Sequence, residues 1–255
     1  MITTYGIVFF LVTFFLVLIT RKWSSIRRKL YHSYLTGFEV ECGVLALPYK
    51  MHLLNPLYQI VSSDADLRAK GVIRILEIGV KTGENIVFYP KGTHLIGVDW
   101  NIKLGEYLAN GNRSEDFSHV MVERIIIGDG GSMPEIATGS VDAVITTRAL
   151  CSVASVKATL GEIQRVLAPG GKYFFMEHIP NSECTFIRYC QKVLARTRIW
   201  STLFGNCRLD FDPIPEIRNT GFERVLCTSV TLEGYTAHYI HLALSREYVF
   251  GAATR

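Results

Sequence analysis

The sequence predicts an α/β fold: a doubly wound, mostly parallel seven-stranded sheet whose last strand runs antiparallel, with an N-terminal membrane-anchor helix. Three observations favour it. The apolar run Ile73–Ile78 ends in a loop with glycines at Gly79 and Gly83, as a buried parallel strand leading into a close-approach turn does. Strand-like and helix-like segments alternate from Val72 onward. The first twenty residues carry no charge.

The expected elements follow from apolar periodicity and turn residues. Helices are expected from about Glu84 and at 102–110, 155–167 and 184–203. Strands are expected at 72–78, 93–98, 122–127, 141–146, 171–177, 222–230 and 236–244. Only a short link, Leu232–Tyr235, separates the last two strands. A parallel crossover needs about a dozen residues or more, so these strands are expected to pair antiparallel.

Residues 1–22 are predicted to anchor the chain in a membrane. The first twenty of these residues are uncharged, and at about 1.5 Å per residue a helix of that length spans ~30 Å of hydrocarbon. A cleaved signal peptide would carry positive charge before its apolar run, whereas Arg21 and Lys22 follow it. The positive-inside rule then places the rest of the chain in the cytosol. Monotopic or hairpin insertion stays open.

The chain beyond the anchor divides into three segments by composition. Residues 23–70 are expected to be a basic juxtamembrane and amphipathic helical segment broken at Pro48 and Pro56, residues 71–247 a folded domain, and 248–255 a tail. The segment 23–70 either lies on the membrane, covers the site or packs on the domain. Its basic cluster favours contact with anionic lipid, although a solvated helix face explains it equally well.

Composition excludes some function classes. A net charge of +4 is too mild to indicate a nucleic-acid-binding protein, and no such module is visible. The six cysteines form no Cys-x-x-Cys motif and no His/Cys cluster with metal spacing, so reduced thiols and no metal are expected. Cys151 is interpreted as a small buried apolar residue.

Glycines and polar residues follow the predicted strands at their carboxyl ends, where open α/β sheets bind ligands. The positions are Glu77, Gly79 and Gly83 after the first strand, Asp99 after the second, Asp129 and Gly130 after the third, Thr146, Thr147 and Arg148 after the fourth, and Glu177 and His178 after the fifth.

Each position also has a structural explanation: a tight turn for the glycines, a helix cap for Asp99, a turn for Asp129 and simple packing for His178. The set as a whole favours a nucleoside site, because an acid after the second strand suits ribose hydroxyls. The Gly-x-Gly-x-x-Gly motif of dinucleotide sites is absent. A further acid after the third strand, placed for an adenine amino group, suits S-adenosylmethionine better.

At this point the chain resembles the class I S-adenosylmethionine-dependent methyltransferases of the small-molecule branch. The resemblance is carried by Leu-Glu-Ile-Gly-x-x-Thr-Gly-x-Asn at 76–85, Gly-Asp-Gly-Gly-Ser-Met-Pro at 128–134 and Gly-Ser-Val-Asp-Ala-Val-Ile at 139–145. More narrowly, the chain resembles the membrane-anchored methyltransferase-like proteins of the endoplasmic reticulum and lipid droplets that act as alkyl thiol S-methyltransferases. That likeness is carried by Phe-Tyr-Pro at 88–90, Leu-Cys-Ser-Val at 150–153, Glu-Ile-Gln-Arg-Val-Leu-Ala-Pro-Gly-Gly at 162–171 and Phe-Met-Glu-His at 175–178.

The resemblance implies roles for the strand-end residues toward the cofactor S-adenosylmethionine. Gly79 and Gly83 would admit its methionine part, and Glu77 would order that loop. Asp99 would bind the ribose hydroxyls. The adenine would meet Asp129 and the amide of Gly130, and Thr147 would line the methionine end.

Lys81 departs from the family pattern, which has glycine at this position. If the backbone there needs a positive φ, a non-glycine residue costs about 1–2 kcal/mol. The side chain either turns away from the cofactor or pairs with the cofactor carboxylate. Weakened binding, altered loop geometry and a non-catalytic relative all stay open.

The expected function is methylation of a small lipophilic thiol by a protein of the endoplasmic reticulum membrane or lipid droplets, with its catalytic domain facing the cytosol. His178 is the candidate catalytic residue, as a proton acceptor or a positioning group. The alternatives are O- or N-methylation of a lipid or quinone-like substrate, which needs a true general base, and a non-catalytic membrane adaptor with a degenerate cofactor loop.

Overall fold

A computed structural model of the chain describes residues 13, 20, 22–101, 117–183 and 185–255. Seven strands form one sheet in the order β3-β2-β1-β4-β5-β7-β6. The strands are β1 (Arg74–Ile78), β2 (His94–Asp99), β3 (Met121–Ile127), β4 (Val141–Thr147), β5 (Leu167–His178), β6 (Arg224–Thr231) and β7 (Glu247–Thr254). The first five pair in parallel, and β7 runs antiparallel to both neighbours. The predicted sheet is therefore confirmed.

Helices cover the sheet on both faces. Residues 22–33 are helical and lead through a π-helical turn (Tyr34–Glu39) into α1 (Val40–Leu54) and a 3-10 turn (Asn55–Gln59). The later helices are α2 (Ala65–Ala69), α3 (Val156–Val166), α4 (Phe186–Arg196), α5 (Ile199–Leu203), α6 (Ile214–Asn219) and α7 (Tyr239–Ser245).

Alternate residues of the central strands point to opposite faces of the sheet, so two cores form. Ile75 of β1 packs into one core together with Phe38 and Leu54 of the N-terminal helices. Its neighbour Leu76 packs into the other core, beneath Leu160 of α3. A parallel sheet buried on both faces explains why its strands are apolar throughout.

The N-terminal segment packs on the domain, which was one of its three predicted arrangements. Leu53, Leu54 and Leu57 are buried, and the helix continues through Pro48. The predicted break at Pro48 is therefore wrong, whereas Pro56 does begin a separate 3-10 turn. A helix tolerates one internal proline when neighbouring elements hold the chain in place, and α1 is held by its packed face.

Two other predicted elements are wrong. The helix expected from Glu84 is only a 3-10 turn, Ile86–Phe88, because Pro90 leaves too few residues for a longer helix. The strand expected at 236–244 is α7, and the segment expected to be a tail forms β7 between β5 and β6. The local sequence did not distinguish a short apolar helix from a short buried strand.

Two predicted segments lie largely or wholly outside the described residues. These are the membrane anchor at 1–22, of which only Thr13, Thr20 and Lys22 are described, and the helix at 102–110. Among the helices of the described part of the chain, none is both long enough and apolar enough to span a bilayer.

Candidate functional site

The loop after β1 depends on glycine. Gly79 and Gly83 have φ of 79° and 76°, values that side-chain-bearing residues rarely adopt. A Cβ on Gly79 would lie 2.7 Å from the Cβ of Ala149. The Gly79 amide donates to the carbonyl of Val98 at 2.8 Å. The backbone therefore passes close to the β4 end, as expected for a ligand-binding loop.

Glu77 orders this loop from behind. Its carboxylate is buried and accepts hydrogen bonds from Asn85 Nδ2 and the Tyr89 hydroxyl, each at 2.7 Å. Asn85 Nδ2 also donates to Thr147 Oγ1 at 2.8 Å. Burial raises the pKa of Glu77 to about 7, against the opposing effect of the two donors. Asn85 and Tyr89 both lie in the segment after β1, so Glu77 holds that segment in place.

Asp99 and Asp129 line one cavity, together with Gly79 and Gly130, and we call it the nucleoside cavity. Asp99 accepts from the amides of Lys81 and Asn101, at 2.9 and 2.8 Å. Asp129 likewise accepts from the amides of Gly131 and Ala154, at 2.8 and 2.9 Å. Backbone donors therefore fix both oxygens of each carboxylate. Two rigid acceptors at adjacent strand ends suit the hydroxyl and amino groups of a nucleoside.

Lys81 adopts the positive φ considered above, at 52°. Its side chain turns toward the N-terminal helical segment, where Nζ lies 2.8 Å from Glu39 Oε2. Burial disfavours the ammonium, but the charge of Glu39 and its hydrogen bond with Nζ act against burial, and the pKa of Lys81 is raised. The backbone strain is therefore accompanied by a compensating ion pair.

Glu39 is the hub of a buried polar cluster that sequence reasoning missed. Its Oε1 accepts from Arg148 Nε at 2.9 Å and from the Tyr34 hydroxyl at 2.6 Å. Arg148 also donates to Tyr248. Burial opposes ionisation, but Arg148 and then Lys81 hold the pKa of Glu39 well below its usual range. One carboxylate faces two cations, so the cluster carries one uncompensated positive charge.

A second cavity, beside this cluster, adjoins the nucleoside cavity. Both are lined by Gly79, Lys81 and Arg148, and Thr147 lines the second. Because they share these lining residues, the two cavities form one path from Asp129 to the cationic cluster, with acidic acceptors at one end and positive charge at the other. Their volumes, about 20 and 50 Å³, are well below the ~300 Å³ of a typical small-molecule site. The residues fit S-adenosylmethionine, and its entry requires the N-terminal segment or Lys81 to move.

His178 is not one of the described residues that line these two cavities. It is fully buried, and its Nε2 is 3.1 Å from Cys207 Sγ. Cys151 joins this pair, and the three side-chain donor atoms all lie within 4.8 Å of one another. The hydrogen bond with Cys207, and then burial, raise the pKa of Cys151 to about 12, whereas the pKa of Cys207 is lowered, chiefly by the hydrogen bond from Cys151.

The structure thus brings together most of the predicted cofactor residues. Gly79, Lys81, Asp99, Asp129, Gly130 and Thr147 line the path, while Glu77 and Gly83 shape its loop. Their roles toward a bound cofactor stay predictions. Glu39 was missed, although an acid that directly follows the largely apolar stretch Tyr34–Phe38 on a helix is a signal that it needs a buried partner.

Comparison with known proteins gives a consistent result. A methyltransferase domain family matches residues 76–175. Human thiol S-methyltransferase TMT1A is 30% identical over 203 residues, covering 80% of this chain and 79% of that protein. Rat thiol S-methyltransferase TMT1B is 35% identical over 153 residues, covering 60% of this chain and 61% of that protein.

A solved structure supports the fold. A geranyl diphosphate C-methyltransferase from Streptomyces coelicolor A3(2), crystallised with S-adenosyl-L-homocysteine, superposes with a TM-score of 0.54 at 16% identity. The match covers 82% of this chain and 76% of that one. The strand order, the glycine loop and the extent of the match with TMT1A agree. The chain therefore belongs to the thiol S-methyltransferase TMT1 family, within the class I S-adenosylmethionine-dependent methyltransferases.

Proposed function

We propose that this protein transfers the methyl group of S-adenosylmethionine to a small lipophilic thiol. One observation carries the proposal: Asp99 and Asp129 line a single cavity that continues past Gly79 to the cations Lys81 and Arg148. This order of groups matches a ribose, an adenine and an amino-acid carboxylate. The thiol acceptor rests on the relatives, which are named thiol S-methyltransferases.

The residues of the path would hold the cofactor by complementary charge and hydrogen bonding. Asp99 would accept from the two ribose hydroxyls, and Asp129 with the amide of Gly130 would meet the adenine. The uncompensated positive charge of the cluster around Arg148 would attract the cofactor carboxylate. The cofactor supplies a sulfonium whose methyl group is already activated. The protein's contribution is to hold an acceptor in line with that methyl group.

A strong general base is not required for a thiol acceptor. A free thiol has a pKa of about 8.5, so a small thiolate fraction exists at neutral pH. The predicted catalytic role of His178 stays a prediction, and its ring is directed at Cys207 and not at the cofactor path. Phenols and amines would need a true general base, so thiols are the acceptor class that asks least of the site.

We further propose that the protein works at the endoplasmic reticulum or lipid-droplet membrane, with residues 1–22 as its anchor and its domain in the cytosol. The described helix at 22–33 supports membrane contact. Trp23, Ile26 and Leu30 are exposed and fall at helical spacing, so they share one face. The basic residues Arg27 and Arg28 lie next to this stripe, and such a helix suits a surface of anionic lipid.

The function is tested on the full-length chain purified in detergent. Isothermal titration measures S-adenosylmethionine binding, and methyl transfer is then followed for matched alkyl thiols, phenols and amines. The expected result is saturable binding and transfer to thiols alone. Absence of cofactor binding would leave the non-catalytic adaptor, and transfer to phenols or amines in preference to thiols would overturn the acceptor class.

Membrane contact is tested by vesicle flotation. The full chain is expected to float with vesicles, and a chain beginning at Trp23 is expected to float only when the vesicles contain anionic lipid. Equal flotation of that shortened chain with neutral and anionic vesicles would contradict the proposed role of the basic residues.

A further inference from the structure

Three buried donor groups from separate parts of the chain meet beside the cofactor path. Cys151 lies in the turn after β4, His178 ends β5, and Cys207 lies in the loop after α5. They are 2%, 0% and 4% exposed. Twenty-seven or more positions separate neighbouring members in the sequence, so no local motif announces them. Such a convergence of two thiols and an imidazole is the donor set of a thiophilic metal site.

The geometry is close to that of a coordination shell. Zinc bonds of about 2.3 Å to sulfur and 2.0–2.1 Å to nitrogen place tetrahedral donors about 3.4–3.8 Å apart. The three donor atoms already lie within 4.8 Å of one another, and His178 Nε2 is 3.1 Å from Cys207 Sγ.

The surroundings hold the donors in place. Cys151 and Cys207 pack with Trp200 and Leu209 in a small apolar cluster. Arg208 Nε and the Arg208 amide both donate to the Cys151 carbonyl, each at 3.1 Å, and so tie the loop that bears Cys207 to the turn that bears Cys151. Such fixed neighbours orient donors in metal sites.

Residues next to the cluster in the chain line two neighbouring spaces. Ser152, which follows Cys151, lines the nucleoside cavity, and Asn206, which precedes Cys207, lines a wide groove along the helix at 22–33. Tyr31 lines both spaces. Three protein donors leave one coordination position, as in catalytic zinc sites.

We propose that Cys151, His178 and Cys207 bind one thiophilic divalent cation of the zinc class, and that the acceptor thiol enters its free position as a thiolate. The second part rests on the proposed function. On binding, the acceptor releases its proton to solvent. The sulfur lone pair then bonds to the cofactor methyl carbon, and the carbon–sulfur bond of the sulfonium breaks with its electron pair left on the homocysteine sulfur. The products are a methyl thioether, S-adenosylhomocysteine and one proton.

Cobalt binding tests the site without relying on activity. The full-length, reduced, metal-free chain is titrated with Co²⁺, and a sulfur-to-cobalt charge-transfer band in the near ultraviolet is expected to saturate at about one equivalent and to be displaced by Zn²⁺. The variant Cys151→Ser/Cys207→Ser should lack the band. Cys227→Ser is the matched control, because that cysteine lies on β6 outside the cluster, and it should keep the band.

The outcomes separate this inference from the proposed function. Three variants are compared: the double cysteine variant, Cys227→Ser and His178→Asn. Their folding is checked by circular dichroism and by S-adenosylmethionine titration, and both measurements should match the wild type. If His178→Asn is folded, it should bind Co²⁺ more weakly. No band in the wild-type chain, or an equal band in the double cysteine variant, overturns the metal site while leaving cofactor binding intact.

The pH dependence tests the role of the ion in the reaction. A thiol of pKa about 8.5 is only about 3% ionised at pH 7, whereas a metal-bound thiol is deprotonated. Removing the ion is therefore expected to lower thiol methylation at pH 7 by up to roughly thirtyfold and to make the rate climb toward pH 8.5. A metal-free enzyme with an unchanged rate and pH profile would overturn the role of the ion.

Discussion

Lys81 Nζ lies 2.8 Å from Glu39 Oε2, so a residue of the cofactor loop and a residue of the N-terminal segment form a buried ion pair. The pair joins a loop in a strained backbone conformation to the segment that closes over it. It also explains how a lysine is accommodated in this loop, because its charge is matched by a carboxylate of the N-terminal segment.

The first prediction concerns this coupling. Glu39→Gln leaves the cations of Lys81 and Arg148 without a counter-charge, so we expect a loss of about 3–5 kcal/mol of unfolding free energy. Lys81→Gly relieves a positive φ worth about 1–2 kcal/mol but removes the ion pair. It should therefore destabilise the wild-type chain and stabilise the Glu39→Gln variant. Urea unfolding of the four chains measures the coupling, and additive effects would show that the two residues act independently.

The second prediction concerns Asp99. Asp99→Asn places an amide where the carboxylate now accepts from the amides of Lys81 and Asn101, and it removes a negative acceptor for ribose hydroxyls. We expect S-adenosylmethionine affinity to fall by about tenfold to a hundredfold, or 1.4–2.8 kcal/mol. Isothermal titration measures the change.

Asp142 supplies the matched control for Asp99. It is also buried and accepts from the amides of Ser63 and Arg74, both at 2.8 Å. However, it lies at the start of β4, at the opposite end of the parallel strands from Asp99. Asp142→Asn should lower the unfolding free energy and leave the affinity for the cofactor within about twofold. Equal losses of affinity in the two variants would contradict a specific role for Asp99.

The third prediction compares two glycines. Gly79 and Gly170 have similar φ, 79° and 75°, but a Cβ on Gly170 meets no atom within 4 Å, whereas one on Gly79 meets Ala149. Gly170→Ala should cost about 1–2 kcal/mol from its backbone conformation alone. Gly79→Ala should cost about 1–3 kcal/mol more because of the clash, and should weaken cofactor binding. Thermal unfolding and titration measure both, and equal costs would rule out the close approach at Gly79.

The fourth prediction concerns pH. The pKa of Glu77 is about 7 in the folded chain, against 4.5 as its ordinary value, because burial favours the neutral carboxyl. Between these two values the unfolded chain binds fewer protons, so stability falls as pH rises from about 4.5 to 7 and is level above. At about 1.36 kcal/mol per pKa unit, Glu77 accounts for a fall of about 3 kcal/mol.

The variant Glu77→Gln isolates this contribution. Its side chain keeps a carbonyl for Asn85, and the Tyr89 hydroxyl can turn to accept from the new amide, but the group no longer titrates. Urea unfolding from pH 5 to 8 measures the unfolding free energy of both proteins. As pH rises toward 7, the wild type should lose unfolding free energy relative to the variant. A constant difference would show that Glu77 ionises normally in the folded chain.

Local pattern was enough for the residues at the strand ends. Asp99 and Asp129 each follow an apolar strand, and parallel strands end at one edge of a sheet, so their shared cavity follows from the sequence. The last strand was misplaced because the short apolar segments at 239–245 and 247–254 do not reveal which of them is the helix. The tertiary structure decides it, because residues 247–254 fill the position between β5 and β6 in the sheet.

The sequence by itself determined the α/β sheet, the glycine loop and the two acids of the nucleoside cavity, because each depends on residues that are neighbours along the chain or lie at equivalent strand ends. Only the tertiary structure decided that Glu39 meets Lys81 and Arg148, and that Cys151, His178 and Cys207 converge. These contacts join residues from 27 to 109 positions apart. No periodicity encodes them, since they arise where packed elements bring buried polar groups to the same place.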